Sequence, residues 1–209
     1  MRELWKALHA EAKEEPGVRP GKRMPAQVVA SAAIGRRLEV GPRLTLKGNP
    51  DPEILGEALH NIFAADLIDP NHAGRGAMAI GVLESHGLSG NVAADDVLAC
   101  TSRFQGCLHE TFKPISIRPE WPVTMVLDNG QRMNGWIDVL VDTEEGWVII
   151  DHKSFPGGKN EWDQKVLSYS GQLEAYRRAV IKATERPVIS QWIHFSVGGG
   201  TVEVMFNQA

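Results

Sequence analysis

Residues 135–154 of the chain read GWIDVLVDTEEGWVIIDHKS. Two apolar runs, WIDVLV and WVII, flank the polar residues TEEG at 143–146, a pattern that predicts a β-hairpin. A turn centred between Glu144 and Glu145 places Asp138 opposite Asp151. Directly opposed side chains in an antiparallel pair lie about 5 Å apart, so two carboxylates in these positions repel each other.

A divalent cation bound between the two carboxylates would remove this repulsion, and oxygen ligands of this kind suit Mg²⁺ or Mn²⁺. Because successive strand residues point to opposite faces, Lys153 shares the face of Asp151 and His152 points to the other. The Lys153 ammonium can hold a phosphate oxygen or a hydroxide. The alternative is an interaction module with an acidic surface hairpin, in which the opposed acids have no cation to compensate them.

The composition is that of a globular protein. The chain has 209 residues, 43% of them hydrophobic and 23% charged, enough for one domain with a full core, with or without an appendage. No run approaches the roughly 20 apolar residues that span a bilayer, which excludes a membrane protein. The N-terminus lacks the apolar centre of a signal peptide, so the expected location is the cytoplasm.

Charge is unevenly distributed along the chain. Residues 1–50 carry a net charge of +5 and the rest −9, within an overall −4. This basic, Pro- and Gly-rich stretch either lies along a phosphate backbone or is a solvated linker. We expect a short helix at residues 3–15, extended or loosely ordered structure at 16–52, and a domain boundary that separates a partly irregular N-terminal extension, 1–50, from a compact domain, 51–209. Such a beginning suggests a piece of a longer protein.

Downstream of Asp51, which supplies helix-capping chemistry, the periodicities predict helix, helix, helix, three strands, helix, two strands. We therefore expect a mixed α/β (α+β) fold with a central sheet covered by helices. Asn129-Gly130 predicts a two-residue hairpin turn between the first two strands. The first predicted helix begins at the capping residues 51–53, and the others cover 76–86, 93–112 and 167–183. A loop of about ten residues after Gly158 leads to the last of them. The predicted strands cover 121–128, 131–142, 147–153, 188–197 and 201–206.

Three further side chains are candidates for the same site. Gln172 and Tyr176 stand four apart on one helix face, where an amide and a phenol can reach the acidic end of the hairpin; otherwise Tyr176 packs in the core and Gln172 lies on the surface. His60 lies off the apolar stripe of the first predicted helix. It points either to a site at the stripe's edge or to solvent.

Together these residues resemble the RecB-like branch of the PD-(D/E)XK nuclease superfamily, in which a GxxD strand, a DxK strand, a QxxxY helix and an upstream histidine form the active site. The resemblance covers about residues 54–180 and is strongest to nuclease domains at the C-terminal end of DNA helicases that process double-strand breaks. The matching segments are Gly135-Trp136-Ile137-Asp138, Asp151-His152-Lys153, Gln172-Leu173-Glu174-Ala175-Tyr176 and His60.

The resemblance implies a restriction-endonuclease-like core and a Mg²⁺- or Mn²⁺-dependent DNA nuclease, an exonuclease that serves double-strand-break repair. Asp138, Asp151, His60 and the carbonyl of His152 would bind the metal. Lys153 would orient or deprotonate the attacking water. Gln172 and Tyr176 would steady Lys153 or the DNA backbone. The second hypothesis is a nuclease-derived DNA-binding or scaffolding module that has lost activity.

The sequence departs from the family pattern at His152, where the family usually has an aromatic residue. Only Cys100 and Cys107 are available as thiols; seven residues apart, they predict buried thiols on one helix face, and no iron–sulfur cluster is expected. The chain has no G-x-x-x-x-G-K-[ST] motif, so we expect any ATPase to lie in another part of a longer chain or in a partner helicase.

Overall fold

The computed structural model describes residues 32–126 and 132–206. Within them, strands β1 to β6 are Ala32–Glu39, Ser116–Val126, Arg132–Asp142, Trp147–Lys153, Val188–Phe195 and Gly200–Phe206. They form one sheet in the order β1-β6-β5-β4-β3-β2. The β4–β5 pair is parallel and the other neighbouring pairs are antiparallel.

Five helices within the described residues cover the two faces of the sheet. They are α1, Pro52–Ile68; α2, Arg75–Ser85; α3, Ala94–Phe112; α4, Lys159–Ser168; and α5, Ser170–Thr184. Helices α1 to α3 share a core with Val139, Val141 and Ile150 of the sheet. Helices α4 and α5 share another with Leu140, Ile149 and Ile193. This layered mixed sheet confirms the predicted α/β fold class.

Helix α1 begins as the sequence predicts. The Asp51 carboxylate accepts hydrogen bonds from the backbone N–H groups of Glu53 and Ile54, at 2.8 and 3.1 Å, which satisfies two donors of the first turn. The apolar stripe that includes Leu59 and Phe63 is buried. This packing fixes the rotation of α1 about its axis and leaves His60 at the edge of the stripe.

Helix α4 replaces a predicted loop. The sequence favours about ten irregular residues after Gly158, whereas the structure has a helix from Lys159. Trp162 and Val166, four residues apart, are its two buried side chains, and the Trp162 ring stacks on Phe195 with centroids 4.8 Å apart. Tertiary burial of this one aromatic residue outweighs the polar composition of the segment.

Strand β1 lies within the stretch predicted to be extended or loosely ordered, but its pairing in the sheet was not predicted. β1 pairs with β6 at the sheet edge. Arg36 and Arg37 of the basic segment form ion pairs with Glu203 and Asp163, and these contacts compete with any contact to a phosphate backbone. The boundary at residue 51 stays a prediction, and the helix at 3–15 lies outside the described residues.

Two smaller features complete the fold. No helix among the described residues is both long and apolar enough to cross a membrane.

Cys100 is a buried free thiol, as predicted, and burial raises its pKa. Cys107 is a free thiol too, but it is half-buried rather than buried, because this edge of α3 is incompletely covered.

Candidate active site

The β3–β4 hairpin has the register that the sequence predicts. The last paired residues are Val139 and Ile150, so Asp138 and Asp151 occupy the next position, where the two strands separate. The backbone N–H of His152 donates a 2.7 Å hydrogen bond to Asp138 Oδ2. The GxxD and DxK segments are thereby joined at the open end of the hairpin.

Asp138 leaves the regular alternation of its strand. Val139 belongs to the core under α1 to α3, whereas Ile137 belongs to the core under α4 and α5, although residues two apart in a regular strand share a face. On β2, Pro119 pairs with Val139 and Trp121 with Ile137, which leaves Glu120 opposite Asp138. Glu120 has a φ of 49°, a left-handed conformation that marks the same local irregularity.

This irregularity brings two carboxylates to one histidine. Asp138 Oδ2 lies 2.9 Å from His60 Nε2, and Glu120 Oε1 lies 3.0 Å from His60 Nδ1. One ligand atom from each of the three residues lies within 4.8 Å of the others. Carboxylate oxygens with one imidazole nitrogen are a donor set that Mn²⁺ and Mg²⁺ accept, so these residues fit the metal that the sequence predicts.

Asp151 contacts the other helical layer. Its Oδ1 accepts a 3.0 Å hydrogen bond from Gln172 Nε2, and its Oδ2 forms an ion pair with Lys153. Gln172 Nε2 also donates to the Tyr176 hydroxyl, at 3.0 Å. The structure thus brings together the four residues predicted from the DxK and QxxxY segments. Asp151 is not part of the His60 group, and its sharing a cation with Asp138 stays a prediction.

The glycine of the GxxD segment is explained by close packing. A Cβ at Gly135 would lie 2.9 Å from Tyr176 Cε1, a distance that excludes any larger residue unless the ring moves. Tyr176 is 1% exposed, so it has little room to move. Tyr176 therefore packs in the core and also contacts Gln172 through its hydroxyl, which combines the two roles that the sequence left open.

His152 points to the opposite face from Asp151, as the alternation predicts. It is buried among aromatic rings, 5.0 Å from the centroids of Phe63 and Phe104, and its Nδ1 lies 2.8 Å from His194 Nδ1. In such a contact one imidazole donates and the other accepts, so the accepting ring is neutral. The carbonyl of His152 as a metal ligand stays a prediction.

The buried histidine pair predicts a dependence of stability on pH. Burial lowers the pKa of His194 to about 3, and burial also holds the pKa of His152 well below its usual range. Below pH ~6.5 the unfolded chain takes up protons that the folded imidazoles do not. Denaturant titrations should therefore show that the free energy of unfolding decreases as the pH is lowered below about 6.5. The decrease should be about 1.4 kcal/mol per pH unit for His194 alone.

The control for this experiment is an exposed histidine. His194→Gln should remove about one proton's contribution from the slope between pH 6 and 4, on the order of 1.4 kcal/mol per unit. His109→Gln, at an exposed position of α3, should leave the slope as it is. Equal slopes in wild type and His194→Gln would contradict the prediction.

Two residues of the site do not follow from the sequence motifs. Glu120 is one. A two-residue turn at Asn129-Gly130 followed by regular pairing would set it opposite Val139, whereas the β2–β3 register of the described residues is displaced by one and leaves it opposite Asp138. Residues 127–131 themselves lie outside the described part of the chain. The register of this hairpin, correctly set, would have identified Glu120.

Tyr169 is the second site residue that the sequence motifs do not predict. Its ring lies 4.6 Å from Lys153 Nζ and 5.5 Å from Lys165 Nζ, distances at which an aromatic face attracts an ammonium group. Tyr169 precedes Gln172 by three residues at the start of α5, so both side chains are directed to the site by one helical turn. The Lys153 ammonium is therefore held between the Asp151 carboxylate and the Tyr169 ring.

Comparison with known proteins gives a match to the family model of the PD-(D/E)XK nuclease superfamily over residues 32–201. An ATP-dependent helicase/nuclease component from Desulforamulus reducens is 30% identical over 169 residues, which cover 74% of this chain and 12% of that protein. The component of the same name from Carboxydothermus hydrogenoformans is 29% identical over 91 residues, or 38% and 8%. The chain thus spans a small fraction of the length of these relatives.

Proposed function

The chain belongs to the PD-(D/E)XK nuclease superfamily, and from this premise we propose that it is a divalent-metal-dependent nuclease domain that hydrolyses phosphodiester bonds of DNA. The observation that supports this most is the meeting of two side-chain groups at one strand opening. In the first group, His60 contacts both Glu120 and Asp138. In the second, Lys153 and Gln172 contact Asp151.

The first group has the arrangement of a metal-binding histidine. Glu120 contacts Nδ1 of His60 while Nε2 faces Asp138. A carboxylate on one imidazole nitrogen fixes the tautomer and orientation of the ring, so that the other nitrogen can bind a cation. We propose His60, Asp138 and Asp151 as ligands, completed by the His152 carbonyl. When bound, a divalent cation lowers the pKa of a coordinated water and offsets charge on the attacked phosphate.

The second group orients the lysine. Lys153 is held by Asp151 on one side and by the Tyr169 ring on the other, and Gln172 keeps Asp151 from rotating. We propose that the Lys153 ammonium orients the attacking water and places a positive charge beside the phosphate oxygens, where negative charge develops during the reaction. The Tyr176 hydroxyl accepts a hydrogen bond from Gln172 and helps to fix its orientation.

The relatives suggest the setting of this activity. Both are parts of ATP-dependent helicase/nucleases by name, and this chain has no Walker-type motif of its own. We propose that the domain works in the cytoplasm beside a helicase region of a longer chain or of a partner protein. There it would act as an exonuclease on DNA ends in double-strand-break repair.

Cleavage of labelled DNA tests the proposed function. The 209-residue chain should degrade linear DNA with Mg²⁺ or Mn²⁺ and leave it intact in EDTA, while a circular single strand should resist an exonuclease. Asp151→Ala should abolish cleavage. Asp163→Ala, an exposed carboxylate paired with Arg37, should not. Cleavage in EDTA or by Asp151→Ala contradicts the proposal, and metal-independent DNA binding by an inactive wild type supports the scaffolding alternative.

A further inference from the structure

Trp136 lies on the same side of the sheet as two of the proposed metal ligands, His60 and Asp138. Its neighbour Gly135 faces Tyr176 of α5, and Ile137 packs in the core of α4 and α5. Trp136 between them points to the opposite side, where His60 of α1 meets Asp138. Its side chain is 43% exposed, although the same side of β3 is buried beyond Asp138.

The surroundings of Trp136 form an open strip of the sheet. Pro122 is paired with Trp136, and Thr124 with Asn134; Pro122, Thr124 and Asn134 are exposed as well. Thr124 Oγ1 and Asn134 Oδ1 are hydrogen-bonded at 3.0 Å, which gives the strip a polar outer end. The strip continues directly into the site, because the next residue on this side of β3 is Asp138.

Spacing along the strand relates Trp136 to the reacting phosphate. Residues two apart in a strand are about 7 Å apart, close to the length of one nucleotide in an extended strand. A nucleotide adjacent to a phosphate held at Asp138 can therefore place its base over the indole. Single exposed apolar side chains are common on protein surfaces; the position beside the site is what distinguishes this one.

We propose that Trp136 stacks against an unpaired base next to the scissile phosphate, so that the site takes single-stranded DNA. The proposal rests on the proposed nuclease function. Every base has a flat face that an indole can stack on, which makes the contact independent of sequence. In a duplex both faces of a base are occupied by its neighbours, so a strand that is already unwound binds in preference.

Trp121 provides a matched control. It is 38% exposed on the neighbouring strand, next to Glu120 in sequence, but it points to the other side of the sheet. There the Arg118 guanidinium lies 5.0 Å from its ring centroid. Trp121 and Trp136 thus compare two tryptophans of similar exposure. Trp136 lies on the side of His60 and Asp138, and Trp121 lies on the side of α4 and α5, where its ring already contacts Arg118.

Binding without cleavage tests the proposal. Fluorescence anisotropy of a labelled oligo-dT in EDTA should show about tenfold weaker binding by Trp136→Ala. Trp136→Phe retains a ring to stack on and should stay within about threefold of wild type. Trp121→Ala should match wild type. Thermal melting of each variant establishes that the exposed substitutions leave the domain folded.

A single abasic site moved along the oligonucleotide sharpens the test. Wild type should bind the oligonucleotide about tenfold more weakly when the abasic site is at one particular position. Trp136→Ala should bind that abasic oligonucleotide as tightly as the intact one. Duplex affinity should be the same in both proteins. Equal losses for Trp136→Ala and Trp121→Ala, an equal loss on duplex, or no binding of single strands by wild type would overturn the proposal. Metal-dependent cleavage by wild type, measured separately, distinguishes these outcomes from failure of the nuclease function.

Discussion

Lys153→Ala is expected to lower the rate of DNA cleavage by roughly 10³-fold, the range found when a positioned proton-transfer or charge-stabilising group is removed. Lys153 forms an ion pair with Asp151, so its substitution takes the ammonium group away from the attacked phosphate. Single-turnover cleavage of a labelled strand at saturating Mn²⁺ measures the chemical step directly.

Lys165→Ala is the matched control, since Lys165 contacts the same Tyr169 ring as Lys153. It should retain the single-turnover rate within a few-fold. Lys153→Ala should also retain Mn²⁺ binding, because the three residues of the His60 group remain in place. Undiminished cleavage by Lys153→Ala would refute the assigned role, and loss of Mn²⁺ binding would show that the lysine acts through the metal site instead.

Asp138→Asn is expected to remove cleavage and to weaken Mn²⁺ binding by about 100-fold or more, as loss of a charged metal ligand should cost at least as much as loss of its supporting contacts. The asparagine carbonyl can still accept the hydrogen bond from the backbone N–H of His152, so the strand opening keeps its shape. Titration of free Mn²⁺ by electron paramagnetic resonance gives the affinity, and this readout is independent of activity.

Substitution of two other carboxylates provides an intermediate effect and a control for this measurement. Glu120→Gln removes the negative charge behind His60 but keeps an acceptor for Nδ1, and should weaken Mn²⁺ binding about 10-fold, the lower end of what supporting contacts contribute. Asp142→Asn, on the same strand as Asp138 but paired with Arg186, should have no effect. Equal affinities in Asp138→Asn and Asp142→Asn would place the metal elsewhere.

Much of the site could be predicted because it sits on a hairpin with a short polar turn. The turn fixes which residues meet, and the observed pairing of Val139 with Ile150 confirms that register. Membership of the superfamily, predicted from four short segments, is confirmed by the match over residues 32–201. The four-residue interval between Gln172 and Tyr176 places their side chains on one helix face, and the resemblance to the QxxxY segment predicts their place in the site.

The direction of Asp138 could not be predicted. Strict alternation sets it on the same face as Asp151, whereas the irregularity shared with Glu120 turns it to His60 of the opposite helical layer. Such an irregularity depends on contacts between strands and helices that are distant in sequence, and a local pattern contains no record of them.

The sheet pairing of strand β1 and the existence of helix α4 were not predicted, for a related reason. The β1 sequence AAIGRRLE has little apolar alternation, and its strand conformation depends on pairing with β6 at the far end of the chain. Helix α4 depends on one tryptophan that packs on β5. In both segments the tertiary partner, and not the intrinsic preference, decides the conformation.

Chain order has a consequence for how the site assembles during folding. Gln172 and Asp151 are 21 residues apart, whereas His60 and Glu120 are 60 apart, and contacts that close shorter loops form at lower entropic cost. Lys153, Asp151 and Gln172 therefore belong to a strand–helix segment that is connected locally in sequence. The contacts of His60 form only when α1 packs on the sheet. Assembly of the complete site is in this sense a late event of folding, because it requires both helical layers to pack on the sheet.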